Sequence, residues 1–332
     1  MWASNVQEIT SDLAALDSAG RWAVFLPYDG DAVCVRFADW STSQPQTRTV
    51  GDWVGPAAEA WGSSMDQREY ELAVQSTRAS IARGDVYQAN ICRVMSASMP
   101  DGAAQDIAAL YLLLQQGNPA PHAAMLRVPE AGVNIACSSP ELFLEREQGT
   151  LKSGPIKGTG RTAGDLLAKD EAENVMIVDL VRNDLSKVCR TGTVAVPALL
   201  RLEEHPGLVH LVSDVTGELE PGTQWPAIID AMFPPGSVTG TPKSSARRLI
   251  SKLEPMSRGP YCGALGWVDA DRGTASLAVT IRTFWLDGST LNFGTGAGIT
   301  WGSDPTAEWR ETELKARGLV ALAGGLWQGE VS

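Results

Sequence analysis

Apolar positions recur along this chain at two spacings. Helical spacing appears at 67–83, where Tyr70, Val74, Thr77 and Ile81 keep one face and Gly84 can close the helix. It returns at 105–116 through Ile107, Leu110, Leu113 and Leu114, and again through Met176, Ile177, Leu180 and Val181. Short helices are expected at 225–232 and after Pro242, the latter with Thr241 as cap, a buried face of Ala246, Leu249, Ile250 and Leu253, and Pro255 as its end. A last helix follows Asp304 as cap and Pro305 in first position. Apolar runs and alternation predict strands at 22–27 and 32–37 around a turn at 28–31, then at 123–128, 132–137, 142–147, 208–213, 261–268, 275–286 and 290–295. Asp287-Gly288 signals a hairpin turn, and 39–49 reads as a polar loop. No regular strand–helix–strand repeat emerges, so the pattern predicts an α+β fold rich in antiparallel strands. Residues 1–60 are weakly patterned, a short N-terminal part packed on a main domain at 61–332.

Composition narrows the function classes. With 332 residues, 44% of them hydrophobic, the chain can bury one large core or two fused layers. Thirty-three glycines and 19 prolines favour turns over a helical bundle. A net charge of -12 argues against a uniform nucleic-acid footprint. Cys34, Cys92, Cys137, Cys189 and Cys262 stand singly with no CxxC, which suits reduced thiols and a cytoplasmic location. No basic flank leads into a long apolar run at the N-terminus, and no apolar run reaches the length of a membrane span, so neither a secretory signal nor membrane insertion is expected.

Candidate chemistry concentrates in a few stretches. Residues 154–160, GPIKGTG, read as a tight exposed loop in which glycines permit close approach to Lys157. The frame of a phosphate-binding loop is missing, because no Ser or Thr directly follows the lysine. Thr162 and Asp165 can form a capping box for the next helix, on which Asp170 and Glu173 share a face and Asp179, Arg182 and Asp184 continue the charge. Glu308, Glu311, Thr312 and Lys315 also share one helical face. Arg282 falls mid-strand on a moderately apolar face, where a guanidinium needs an anion. Two acidic helices, Arg282 and the glycine turn at 294–299 together describe a Mg²⁺ site bridging the protein and a substrate carboxylate. A solvated helix face, a surface turn at Pro140-Glu141 and a structural His210 remain open as ordinary alternatives. His122, His205 and His210 show no metal-binding spacing.

PIKGT at 155–159 and AENVMIVDLVRNDL at 172–185, with GDVYQAN, SSPE, VHLVS and TGTPK elsewhere, resemble the chorismate-utilising enzymes from about residue 70 to 321. That resemblance implies two large antiparallel β-sheets in a sandwich with outer helices, and a shortened N-terminal part in which a tryptophan-regulated site is not expected. It implies that Glu141 is the general acid–base group, that Glu173 and Glu311 ligate Mg²⁺ directly, and that Glu308 and Asp170 do so through water. His210, Thr239, Thr241, Tyr261, Arg282, Gly296, Gly298, Lys315 and Gln88 are implied on the substrate side. Isochorismate and salicylate synthases carry a water-activating lysine where this chain has Gln88, which cannot serve as that base. Anthranilate synthases usually carry alanine where this chain has Lys157. The lysine is similar to that of the aminodeoxychorismate synthase branch, where it is thought to attack the ring at C2 in a neutral form. The expected reaction converts chorismate and ammonia to 4-amino-4-deoxychorismate, on the way to 4-aminobenzoate and folate. No Gly-X-Cys-X-Gly nucleophile elbow is present, so a separate glutamine amidotransferase subunit is the expected ammonia source. A non-catalytic chorismate-binding relative is the alternative of another class.

Overall fold

The computed structural model describes residues 1–43, 53–103, 106–160, 162, 164, 168–205 and 208–324. In chain order the first part contains β1 (Trp2–Thr10), β2 (Arg21–Leu26), β3 (Val33–Ser41), β4 (Gly62–Ser63), α1 (Gln67–Ala82), β5 (Gln88–Ser98), α2 (Ile107–Gly117), β6 (His122–Val128), β7 (Val133–Ser139), β8 (Leu142–Glu147), β9 (Thr150–Gly154) and β10 (Ile156–Gly160). Then follow α3 (Ala168–Ser186), β11 (Ala195–His205), β12 (Leu208–Glu218), α4 (Trp225–Met232), β13 (Gly240–Thr241), α5 (Lys243–Leu253), β14 (Ala264–Asp269), β15 (Thr274–Val279), β16 (Thr283–Asp287), β17 (Thr290–Ile299) and α6 (Pro305–Ala323). Among the described residues the strands form two antiparallel sheets. One runs β1-β3-β2-β14-β15-β8-β9-β12-β10, with β11 also on β12; the other runs β13-β5-β17-β16-β7-β6, with β4 also on β5.

Apolar positions explain how the layers stack. Phe25, Val35 and Leu265 of the first sheet pack against Leu126, Val128, Val133 and Ile135 of the second, closing the sandwich at one end. Each such side chain, fully buried, contributes about 1.5–3 kcal/mol. Ile177, Val178, Val181 and Leu185 lay one stripe of α3 on the first sheet beside α4. α2 and α6 cover the second sheet through Leu110, Leu114, Ala316 and Leu319. α1 and α5 flank β5 through Tyr70, Val74, Ala246 and Ile250. Local signals set the helix starts: Asp66 and Glu69 form a reciprocal capping box on α1, and Asp304 accepts from the Ala307 amide ahead of Pro305 on α6. The N-terminal strands belong to the first sheet itself, β2 pairing in register with β14.

Several expectations need correction. The GPIKGTG stretch is not an exposed loop: Gly154 and Pro155 are buried, and β10 pairs with β12. The single strand expected at 275–286 is two strands in different sheets, β15 pairing with β14 and β8, and β16 pairing with β17 and β7. Arg282 is therefore at the crossing point between sheets, with a left-handed φ of 52°, and not mid-strand. The glycines at 294–299 lie inside β17, paired along their length with β5, and form no turn. Thr241 belongs to β13 opposite Gln88, so the N-cap position of α5 falls to Pro242, one residue later than expected. Asp184, which continues the charge along that helix, is buried, so the solvated-face alternative does not hold for it. Asp165 of the expected capping box and most of the expected polar loop at 39–49 lie outside the described residues.

Candidate active site

Three alternate residues of β17, Gly294, Gly296 and Gly298, point to one side of their sheet. Any Cβ at Gly294 would strike the Tyr261 ring, which lies against that backbone. A Cβ at Gly298 would lie 2.6 Å from Gln88 Nε2 and 3.2 Å from Lys157 Nζ. Both side chains thus converge on the same bare stretch of main chain, one from each sheet. Gly298 is required here because its hydrogen occupies the place where they meet.

Lys157 is aimed by an irregularity in its strand. In the β10–β12 ladder Lys157 pairs with Leu211 and Thr159 pairs with His210, with Gly158 at φ 78° interrupting the register between them. Bulges of this kind bend a strand and redirect a side chain. Glu141 stands just before β8 after Pro140, with its amide donating to Ser139 Oγ at 3.1 Å. Its carboxyl is buried, and burial pushes its pKa up to about 7, against the lowering effects of the Ser237 hydroxyl, the nearby Lys157 charge and the Ile156 amide. A carboxyl of that kind holds a proton near neutral pH, as a general acid requires. The two short strands β8 and β9 lie between Glu141 and Lys157 in the chain.

Gln88 is fully buried, and neither its amide nitrogen nor its amide oxygen has a hydrogen-bond partner. Arg282 presents a guanidinium to which, among the described residues, no acid is paired; burial alone lowers its pKa. Its left-handed backbone is costly for a non-glycine residue, by roughly 1–3 kcal/mol. Cys262, beside Tyr261, has a φ of 67°, and its amide donates to the Thr280 carbonyl at 2.9 Å. The two strained residues hold Tyr261 and Arg282 on neighbouring segments. Buried donors and acceptors left without partners are costly, so Gln88 is a group a polar ligand would satisfy, and the acid-free Arg282 is one an anion would pair with.

The remaining sequence-derived residues lie on β12, on and just before β13, and on α3 and α6. His210 is buried, more deeply than a half-buried strand position implies. Thr239 is buried with its hydroxyl donating to the Pro235 carbonyl at 2.9 Å, while its own carbonyl accepts from the Asn90 amide. Thr241 accepts from the Tyr87 amide. On α6, Lys315 Nζ lies 2.7 Å from Glu311 and donates to the Gly296 carbonyl at 3.0 Å, seating that helix over the glycine strand. Thr295 Oγ1 adds a bond to the Thr312 carbonyl at 3.0 Å. Glu308 is buried; Asp170 and Glu173 are half-buried on the first turns of α3. Asn174, next to Glu173, donates to the Leu211 carbonyl at 3.0 Å and accepts from Ser213, which fixes α3 against β12.

Among the described residues no group of three or more His, Cys, Asp or Glu side chains is gathered for a metal. The acids come as two pairs, Asp170 with Glu173 and Glu308 with Glu311, all hard oxygen donors. That set fits Mg²⁺, which takes one or two carboxylates and completes its shell with water and substrate oxygens.

Sequence reasoning missed the buried Arg258. Arg258 donates to Glu254 Oε2 at 2.8 Å and Oε1 at 2.6 Å, to the Val238 carbonyl at 2.8 Å and to the Asn90 carbonyl at 2.6 Å. It stacks on Tyr28, 4.4 Å from the ring centroid, and Glu254 also accepts from the Cys92 amide. The Glu254–Arg258 spacing of four was legible, but Pro255 between them hid the pair.

The sequence profile of the family described as chorismate binding enzyme matches residues 25–321. Aminodeoxychorismate synthase component 1 of Bacillus subtilis is 34% identical over 289 residues, covering 83% of this chain and 60% of the relative. Anthranilate synthase component 1 of Saccharolobus solfataricus is 35% identical over 276 residues, covering 80% and 64%. This chain thus spans less than two thirds of the length of either. The crystal structure of anthranilate synthase component I from Streptococcus pneumoniae shares the fold at a TM-score of 0.77 and 23% identity, covering 92% of this chain and 84% of that one. Relatives of different name are about equally similar, so overall similarity does not separate one reaction from another.

Proposed function

The chain belongs to the chorismate-binding enzyme family, and within it we propose that it is the large component of an aminodeoxychorismate synthase, converting chorismate and ammonia to 4-amino-4-deoxychorismate. The observation that carries this reading is the meeting of Lys157 and Gln88 at Gly298, with Glu141 beside Lys157. A glutamine at 88 offers an amide to the ligand but no base for water. A lysine at 157 offers a nucleophile on the floor of the cleft.

Arg282, Tyr261 and the Gly296–Gly298 main chain receive one substrate carboxylate. His210 and Thr239 face the ring side, and Lys315 steadies the glycine strand. Glu173 and Glu311 would hold Mg²⁺ directly, with Glu308 and Asp170 through water. When bound, the ion supplies charge neutralisation for the second carboxylate. Glu141 donates its proton to the 4-hydroxyl, which leaves as water while the Lys157 amine bonds to C2. Ammonia then bonds to C4 and the C2–N bond to Lys157 breaks, restoring the lysine. The ammonia is supplied by a separate glutamine amidotransferase subunit.

Product identity tests the proposal. Purified protein receives chorismate, Mg²⁺ and ammonium at mildly alkaline pH, and an aminodeoxychorismate lyase is added to one half. The expected result is 4-aminobenzoate only in the half with lyase. Anthranilate in both halves would assign the chain to the branch that aminates C2. Salicylate or isochorismate would show water reaching the ring despite Gln88. Lys157→Ala should lower formation of 4-amino-4-deoxychorismate by at least about 100-fold, the scale of a lost covalent route; an unchanged rate removes the lysine from the chemistry.

A further inference from the structure

Beside Glu141, a narrow space is lined by Glu141, Ser153, Ser237 and Asp184, with Phe143 and Val181 among its apolar walls and neither Lys157 nor Gly298 among its lining residues. It has room for about one water molecule, and four polar side chains around it match the two to four partners such a water needs. Asp184 is itself buried. It pairs with Lys243 at 2.7 Å on one oxygen and with Lys187 at 3.0 Å on the other. Lys187 is about half exposed, at 51%, so this string of groups begins in solvent and ends at Glu141.

The proposed amination, on which this inference rests, creates a need for such a string. Glu141 loses its proton to the departing C4 oxygen, which leaves as water. Ammonia brings three hydrogens, and the new C4 amine keeps all three as an ammonium, since aliphatic amines titrate well above neutral pH. The Glu141 carboxylate is left charged, and one proton must return from solvent in each cycle. The Lys157 charge acts on the same carboxyl.

We propose that the space beside Glu141 binds one ordered water bridging Glu141 and Asp184, and that Lys187, Asp184 and this water return the proton to Glu141. A proton enters at Lys187 as one moves from it to Asp184, from Asp184 to the water, and from the water to Glu141. Every group except Glu141 ends as it began, and nothing is oxidised or reduced. Asp184 is a positioning residue in this scheme, because it acts on the substrate only through Glu141.

A crystal structure of the unaltered protein should show a water within hydrogen-bond reach of both carboxyls. Val181→Ile fills the space without touching a polar group, and Asp184→Asn breaks the string. In Val181→Ile, amination in a single turnover should keep its rate while steady-state turnover slows by about tenfold, a modest part of what acid–base groups contribute. Imidazole, which reaches Glu141 through the emptied cleft, should restore part of the loss. Asp184→Asn should repeat this split if it folds. The route is overturned if an active enzyme shows no such water, if Val181→Ile with a filled space turns over normally, or if both phases slow by the same factor. Chorismate left intact by the unaltered protein sinks the amination reading and the route with it, which separates the two failures.

Discussion

Arg258 is a buried guanidinium and Arg282 a half-buried one, and they have opposite surroundings. Arg258 is held by a carboxylate, two main-chain carbonyls and an aromatic face. Burial works against its charge, but the neighbouring Cys92 and Glu254 outweigh that and its pKa is raised. Arg282 has burial and no acid, and its pKa is lowered. Around Arg258 the polar groups are satisfied by the protein. Elsewhere among the candidate site residues Gln88 is unpartnered and burial raises the Glu141 pKa to about 7. The difference separates a polar cluster that maintains the fold from one that costs the fold stability in order to meet a ligand.

The largest test of this contrast is Arg258→Met. It leaves Glu254 buried without its partner and strips two carbonyls of their donor, so unfolding in denaturant should report a loss of about 3–5 kcal/mol. An unaltered midpoint would show that the network around Arg258 is dispensable. Arg282→Gln should do the reverse. The unliganded protein should melt at the same temperature or higher, while chorismate affinity measured by calorimetry falls by about 10- to 100-fold, the value of hydrogen bonds to a charged group. If Arg282→Gln unfolds the protein and Arg258→Met does not, the two roles have been assigned the wrong way round.

Gln88→Met sharpens the comparison at smaller scale. Removing two unpartnered buried atoms should stabilise the unliganded protein by about 1 kcal/mol and weaken chorismate binding. A destabilised variant would mean that the amide has a partner in solution. Ser237→Ala gives the smallest effect. The Ser237 bond lowers the Glu141 pKa, so its loss raises it further. Because the protonated carboxyl is the active form, the alkaline fall of the single-turnover rate, expected near pH 7, should then move to higher pH by less than about one unit. A shift to lower pH would remove Glu141 as the acid.

The sequence by itself determined most elements and the composition of the site. Helical spacing placed α1 and α2 within a residue or two, because each presents an apolar stripe to a sheet, and the cap at Asp304-Pro305 placed the start of α6. The resemblance to a known family named Glu141, Gln88 and the role of Lys157, and the alternation around 282 marked Arg282 as a polar residue on a moderately apolar face. What tertiary structure decided was direction. Alternation cannot tell that 275–286 crosses from one sheet to the other, since both halves read as strand and the break at Arg282 is a backbone angle only the packed neighbours enforce. GPIKGTG reads as a loop by its glycines, yet β12 supplies the hydrogen bonds that make it a strand. GTGAG reads as a turn, yet β5 pairs with every residue of it, and the missing side chains become the floor on which Lys157 and Gln88 meet. Glycine and proline report local freedom, whereas a neighbouring strand, distant in sequence, settles how that freedom is used.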